Sequence, residues 1–263
     1  MTQDALREDR EGVAIVTLNR PGKLNALNMA MRQVIFDAVD DLRDNDDLRV
    51  LLIQAKGRYF TAGVDIAREG PSGETPVAAG QSGIKTRRDY RAMHRYLDEM
   101  EAVEKPIVMA IQGPCLGLGV EMAGAVDFRL ASESAAFGLP EIRIGVVAGS
   151  GGISRFTRLC GVGWSKWLNM AGETLDARTA LIAGFVQAVY PDDVFEEKVW
   201  DFCRRLTTLP AEVQGAAKLA IELCKDLDRQ QGRNVERLVN TPFLMSDRSD
   251  LVRSRLRRDK PED

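Results

Sequence analysis

Glu121 and Glu141 are the residues most suited to chemistry. They lie in Gly113–Gly152, GPCLGLGVEMAGAVDFRLASESAAFGLPEIRIGVVAGSGG, each beside a glycine-rich turn and a predicted helix start. Carboxylates in such apolar surroundings have three readings: surface or helix-capping charges, part of a nucleotide site, or an acid/base pair. Two carboxyls sharing one water would not both ionise easily at neutral pH, because proximity and apolar walls raise one pKa and keep a proton available. The nucleotide reading fails on its own residues. The strand PIVMAI runs into Gly117-Leu118-Gly119, but Met122 stands where the dinucleotide fingerprint needs a third glycine. Glu121 would also place a negative charge where a pyrophosphate should sit.

Other catalytic arrangements are thin. The chain has one histidine, His94, within the apolar helical stripe Met93, Tyr96, Leu97, Met100 and Val103. A solvent-facing or helix-packing role is expected for it, and core packing for at least two of Met93, Tyr96 and Met100. One histidine excludes a histidine-based zinc site, and no metal is expected. Ser150 lacks the first glycine of a nucleophile elbow, Ala148 standing there instead. The cysteines Cys115, Cys160, Cys203 and Cys224 are scattered with no CxxC pair, which points to a reducing, cytoplasmic setting.

Two glycine-rich turns could act together. GRYFTAGVDI (Gly57–Ile66) and CLGLGVEM (Cys115–Met122) each read as strand, turn and helix start. Two such turns can aim backbone N–H groups at one oxygen, as an oxyanion hole requires. Five segments occur in order: LNRPGKLNALN (18–28), FTAGVDI, GPCLGLGVEMA, FGLPEIRIGVVAGSGG and GFVQAVYP (184–191). Together they resemble the crotonase superfamily, the enoyl-CoA hydratase/isomerase family, over residues 10–195 and more loosely to the C-terminus.

That resemblance implies an α/β protein with a ββα spiral core, residues 1–195, rather than a doubly wound sheet. It also implies a C-terminal helical oligomerisation region, residues 196–263, in a homotrimer or dimer of trimers. Carried over residue by residue, Val64 and Leu118 supply the oxyanion N–H donors. Glu121 becomes the base that orients water, Glu141 the acid that exchanges the C2 proton, and Gly149 a neighbour of the water. Lys23, Leu24, Ala26, Ala62, Asp65, Ile66 and Gly117 border the coenzyme A part of the substrate. The implied reaction is hydration of a 2-enoyl-CoA thioester to a 3-hydroxyacyl-CoA, with no separate cofactor. The alternatives are a Δ3-Δ2-enoyl-CoA isomerase, another crotonase-fold acyl-CoA reaction, or a non-catalytic acyl-CoA binder. The family's triple-glycine turn is here Gly117-Leu118-Gly119. Leucine disfavours positive φ and adds bulk, so an altered pocket or donor geometry is expected there.

The elements that must position these residues read as alternating strands and helices. Val13–Leu18, Arg49–Ala55, Pro106–Ile111 and Val126–Ala131 are predicted strands, and Met31, Val34, Ile35, Ala38, Val39 and Leu42 form one helical face. Glu121–Ala125 leaves room for a short helix. Residues 67–85 read as a lid, a binding loop or a disordered stretch, and the resemblance implies that this loop, with helix 86–104, lines the acyl side. From Asp192 the pattern is mostly helical, ending in the basic tail Arg248–Lys260. In the family, a basic residue of such a tail sometimes reaches a neighbouring subunit's CoA phosphates. A net charge of −3 gives no argument for nucleic acid or membrane binding. No apolar run approaches the roughly 18 residues that span a bilayer.

Overall fold

β1 (Ala5–Arg10) and β2 (Val13–Leu18) pair antiparallel around Glu11-Gly12, whose φ values of 51° and 77° give the doubly left-handed turn that suits a two-residue hairpin. The structure is a computed structural model that describes residues 3–66 and 83–247. Of the expected lid, residues 67–85, all but 83–85 lie outside the described residues, as does the basic tail from 248. β2 is buried at every position, as a strand covered on both faces must be. From it the main sheet grows by parallel pairing, through β3 (Val50–Ala55), β4 (Ile107–Ile111), β6 (Phe128–Ser132) and β9 (Ala188–Tyr190).

Side-chain alternation explains why both faces are covered. Val16, Leu51 and Ile53 join the cluster that contains α1 (Met29–Asp44) and α2 (Gly83–Ala102), whereas Val13, Ile15, Val50 and Leu52 face α6 (Phe195–Thr207). On α1, Met31, Ile35, Ala38, Val39 and Leu42 form the buried stripe, and Asn28 caps the helix by accepting the Met31 N–H at 2.9 Å.

A second sheet holds β5 (Pro114–Leu116), β7 (Ala136–Gly138) and β8 (Thr174–Asp176), in that order. The chain passes repeatedly from the large sheet to the small one. β4 leads to β5 and the short helix α3 (Leu118–Ala123); β6 leads to β7 and the 3-10 turn Pro140–Ile144. After β3, Thr61 bridges to Cys115 of β5 and completes an earlier tier. This is the ββα spiral. Several boundaries differ from the sequence expectation; the short helix starts at Leu118 rather than Glu121, and β6 starts at Phe128 rather than Val126. α4 (Ser154–Asn169), broken at Gly161, and α5 (Ala177–Ile182) follow.

The chain forms two compact units, residues 1–211 and 212–263. The first contains both sheets and α6, whose Phe195, Val199, Cys203 and Leu206 pack on the main sheet. The second contains α7 (Ala211–Cys224), apart from its first residue, and α8 (Arg229–Met245), which starts with a capping box between Asp228 and Gln231. No helix among the described residues is long and apolar enough to cross a membrane.

Candidate active site

Two turns with left-handed glycines meet at the centre of the site. Gly63 has φ 92°, and its carbonyl accepts the Leu27 N–H at 2.7 Å; Asp65 N–H in turn donates to Leu27 O at 3.2 Å. These bonds use the backbone groups on either side of Val64. Gly117, with φ 53°, anchors the other turn by donating to Gly138 O at 2.9 Å, and its own carbonyl accepts the N–H groups of Val120 and Glu121. A Cβ on Gly63 would lie 3.2 Å from Leu116 O and 3.6 Å from Leu118 N, so glycine allows the approach. A Cβ on Gly119 would sit 2.3 Å from Thr61 Cγ2, which fixes how closely α3 seats on the first turn. Neither the Val64 nor the Leu118 N–H has an acceptor among the described residues.

The expectation for Leu118 needs correcting. The left-handed conformation falls on Gly117, while Leu118 is the first residue of α3 and does not have positive φ. Its side chain is 4% exposed and joins the core, so leucine is accommodated without backbone strain. As the first helical residue it also presents one of the N–H groups that a helix start leaves unbonded.

The two glutamates converge on the same space. Glu121, on α3, is 5% exposed, and its Oε1 accepts from Ser150 N at 2.7 Å and Gly152 N at 3.2 Å. Burial, then the charge of Glu141, pushes its carboxyl up to about 7, against the pull of those two amides and Arg155. Glu141 sits half-buried in the 3-10 turn, its carboxyl raised by burial, and its Oε2 has no hydrogen-bond partner among the described residues. A Cβ on Gly117 would lie 3.0 Å from Glu141 Oε1, which places this carboxyl beside the Leu118 turn.

A cavity of about 320 Å3 joins these groups. Of the residues expected from the sequence, Ala62, Val64, Ile66, Gly117, Leu118, Glu121, Glu141 and Gly149 line it. Lys23, Leu24, Ala26 and Asp65 are not part of that lining. The segment holding Leu24 is hydrogen-bonded along the first turn, with Ala62 N donating to Leu24 O at 2.9 Å, and Lys23 is exposed. The Asp65 carboxylate is turned to Arg20, at 2.6 Å, and both side chains are largely buried. Asp65 thus ties the first turn to Arg20, whose Nη1 also donates to Ala26 O at 3.0 Å.

Tyr90, which sequence reasoning did not pick out, and Ser150, which it weighed only as a nucleophile, also line the cavity. Met93 lines it too while packing against the core, Met100 is fully buried, and Tyr96 is partly exposed and stacked on Phe36 at 3.9 Å. Tyr90 and Met93 lie one turn apart on α2, the helix expected on the acyl side; this spacing was the available signal. Burial and the charges of Glu121 and Glu141 raise the Tyr90 phenol pKa. His94 proves to be more than a packing residue, since its Nε2 lies 2.7 Å from Gly149 O. Among the described residues, no group of three or more His, Cys, Asp or Glu side chains could hold a metal ion.

A ββα spiral with two facing glycine turns defines the crotonase class of enzymes, and solved structures of that class superpose on nearly the whole chain. An enoyl-CoA hydratase from Bacillus anthracis matches with a TM-score of 0.86 at 26% identity, covering 99% of this chain and 98% of the other. The model of the Enoyl-CoA hydratase/isomerase family matches residues 8–250, and the chain belongs to that family. Among curated relatives, the 2,3-dehydroadipyl-CoA hydratase of Escherichia coli K12 is 30% identical over 96% of this chain and 95% of its own length. The crotonyl-CoA hydratase of Syntrophomonas wolfei is 31% identical over 85% and 80%. The mitochondrial Delta(3,5)-Delta(2,4)-dienoyl-CoA isomerase of Dictyostelium discoideum is 28% identical over 92% and 83%.

Proposed function

We propose that the protein is an enoyl-CoA hydratase, adding water across the 2,3 double bond of a 2-enoyl-CoA. The observation that carries this reading is the pairing of two protonatable glutamates with two unbonded amides around one cavity. In the proposed reaction Glu121 takes a proton from water as the water oxygen bonds to C3. The C2–C3 π electrons move into an enolate whose oxygen accepts the Val64 and Leu118 N–H groups. Glu141 then delivers its proton to C2, and the enolate collapses to the 3-hydroxyacyl thioester. Each oxyanion donor contributes roughly 3 kcal/mol by analogy with donors removed from other enzymes.

Coenzyme A enters as part of the substrate, bordered by Lys23, Leu24, Ala26, Ala62, Ile66 and Gly117, with Asp65 holding the turn through Arg20. No separate cofactor or metal takes part. Glu141→Gln should abolish hydration of crotonyl-CoA and longer enoyl-CoAs while acyl-CoA binding persists, read by the loss of conjugated-thioester absorbance and by calorimetry. Unchanged turnover in Glu141→Gln removes this reading. The dienoyl-CoA isomerase relative keeps one rival in view, a Δ3-Δ2-enoyl-CoA isomerase. Isomerisation needs one base to shuttle a proton, so Glu121→Ala would then retain activity, whereas a hydratase loses it.

A further inference from the structure

Glu121 is held by a peptide plane, and that plane is gripped from both ends. Ser150 N–H donates to Glu121 Oε1 at 2.7 Å, while the carbonyl of the same peptide, Gly149 O, lies 2.7 Å from His94 Nε2. A carbonyl only accepts, so the imidazole must carry a proton on Nε2. Nothing else donates to Gly149 O among the described residues. Because the peptide is planar, rotating its carbonyl away from His94 would swing the Ser150 N–H away from Glu121. Donation to the carbonyl also polarises the amide and makes its N–H a better donor.

α2 presents the surface on which this loop rests. Tyr90 stands one turn before His94, and a Cβ on Gly149 would come within 2.7 Å of its ring, so the loop packs closely there. One and two turns after His94, Asp98 and Glu101 bind Arg155 Nη2 at 2.5 and 2.9 Å. Arg155 in turn reaches Ser150 O through Nη1 at 3.4 Å, a long contact that secures the next carbonyl.

We propose that His94 is a positioning residue: its Nε2–H fixes the Gly149–Ser150 peptide so that Ser150 N–H stabilises ionised Glu121. This rests on the reading of Glu121 as the base. The charged and titratable groups around Glu121 are Glu141 from the 3-10 turn, Tyr90 from α2 and Arg155 from α4. Glu141 opposes its ionisation and Arg155 favours it. His94 acts through the peptide rather than by contact with substrate.

His94 is the single histidine in the chain, so the imidazole 15N spectrum reports it without assignment. The expected result is an imidazole that carries a proton on Nε2; an Nδ1–H tautomer with a bare Nε2 overturns the proposal. The second arm compares the pH dependence of kcat/KM for wild type, His94→Gln and His94→Leu. Glutamine places an N–H close to where Nε2 stands and should keep the wild-type profile. Leucine removes the donor and should move the acid limb upward by about one pH unit, a roughly tenfold loss below that limb. An unmoved limb in His94→Leu, or the same shift in His94→Gln, contradicts a positioning role. If wild type hydrates no enoyl-CoA, the proposed function fails separately, and the tautomer measurement alone decides the role of His94.

Discussion

Glu121 carries a raised carboxyl in a place evolution could have filled with an apolar side chain, so its cost should be measurable. Its folded value of about 7 lies above the ordinary value of 4.5, so the folded state binds the extra proton. Stability is therefore undiminished below about 4.5 and falls as the pH rises towards about 7. Glu121→Gln, which keeps an oxygen for the Ser150 and Gly152 amides, should be more stable than wild type at pH 8 by roughly 1–3 kcal/mol, with no gain at pH 4. Urea unfolding at the two pH values checks this; an equal gain at both contradicts it. Leu118→Ala tests the corrected view of the glycine turn. It should lose roughly 2–4 kcal/mol of stability from a core cavity while kcat stays within several-fold, because the N–H donor is backbone. The glutamates and both turns were legible from residue type and order. Tyr90, His94 and Arg155 were not, because their contribution depends on α2 and α4 approaching a loop from other parts of the chain.

The short helix α3 is an element whose position matters more than its length. Its far end is held by Arg129 on β6, which is 3% exposed and donates to Ala123 O at 2.9 Å, Val126 O at 2.6 Å and Phe185 O at 2.5 Å. Burial lowers this guanidinium to about 10, yet the three carbonyls still make it the natural partner of the helix end. Arg129→Met should cost roughly 3 kcal/mol or more, since each carbonyl loses its donor in a dry interior, and calorimetric Tm is the readout. A Tm within a degree or two of wild type would show that water replaces the arginine. β2, β3 and β4 were readable as continuous apolar runs, and α1 by its stripe. β1 ends in four consecutive charged residues, Arg7 to Arg10, with only Ala5 buried, while β5, β7 and β8 are three residues each, too short for any periodicity. Their pairing is set by the spiral, which appeared in the sequence only as an ordered set of motifs.

For the whole molecule, exposed apolar side chains gather on the late elements of the first unit and on the helices of the second. Val162, Met170 and Ile182 in the first unit are 59%, 69% and 72% exposed, and Ile221, Leu238, Leu244 and Met245 in the second 68%, 75%, 76% and 82%. Such surface fits self-association, and we propose the trimer or dimer of trimers that the family resemblance implies. Sedimentation velocity at micromolar concentration should give three or six times the chain mass; a monomer at every concentration contradicts this. The central claim is that two amides and two glutamates form one hydration site. It is tested most directly by incubating purified protein with a series of 2-enoyl-CoA thioesters in deuterated water and analysing the products. The expected product is a 3-hydroxyacyl-CoA with one deuterium at C2, and it should be missing in both Glu121→Gln and Glu141→Gln. Failure to add water to any chain length, or equal product from either variant, would contradict it.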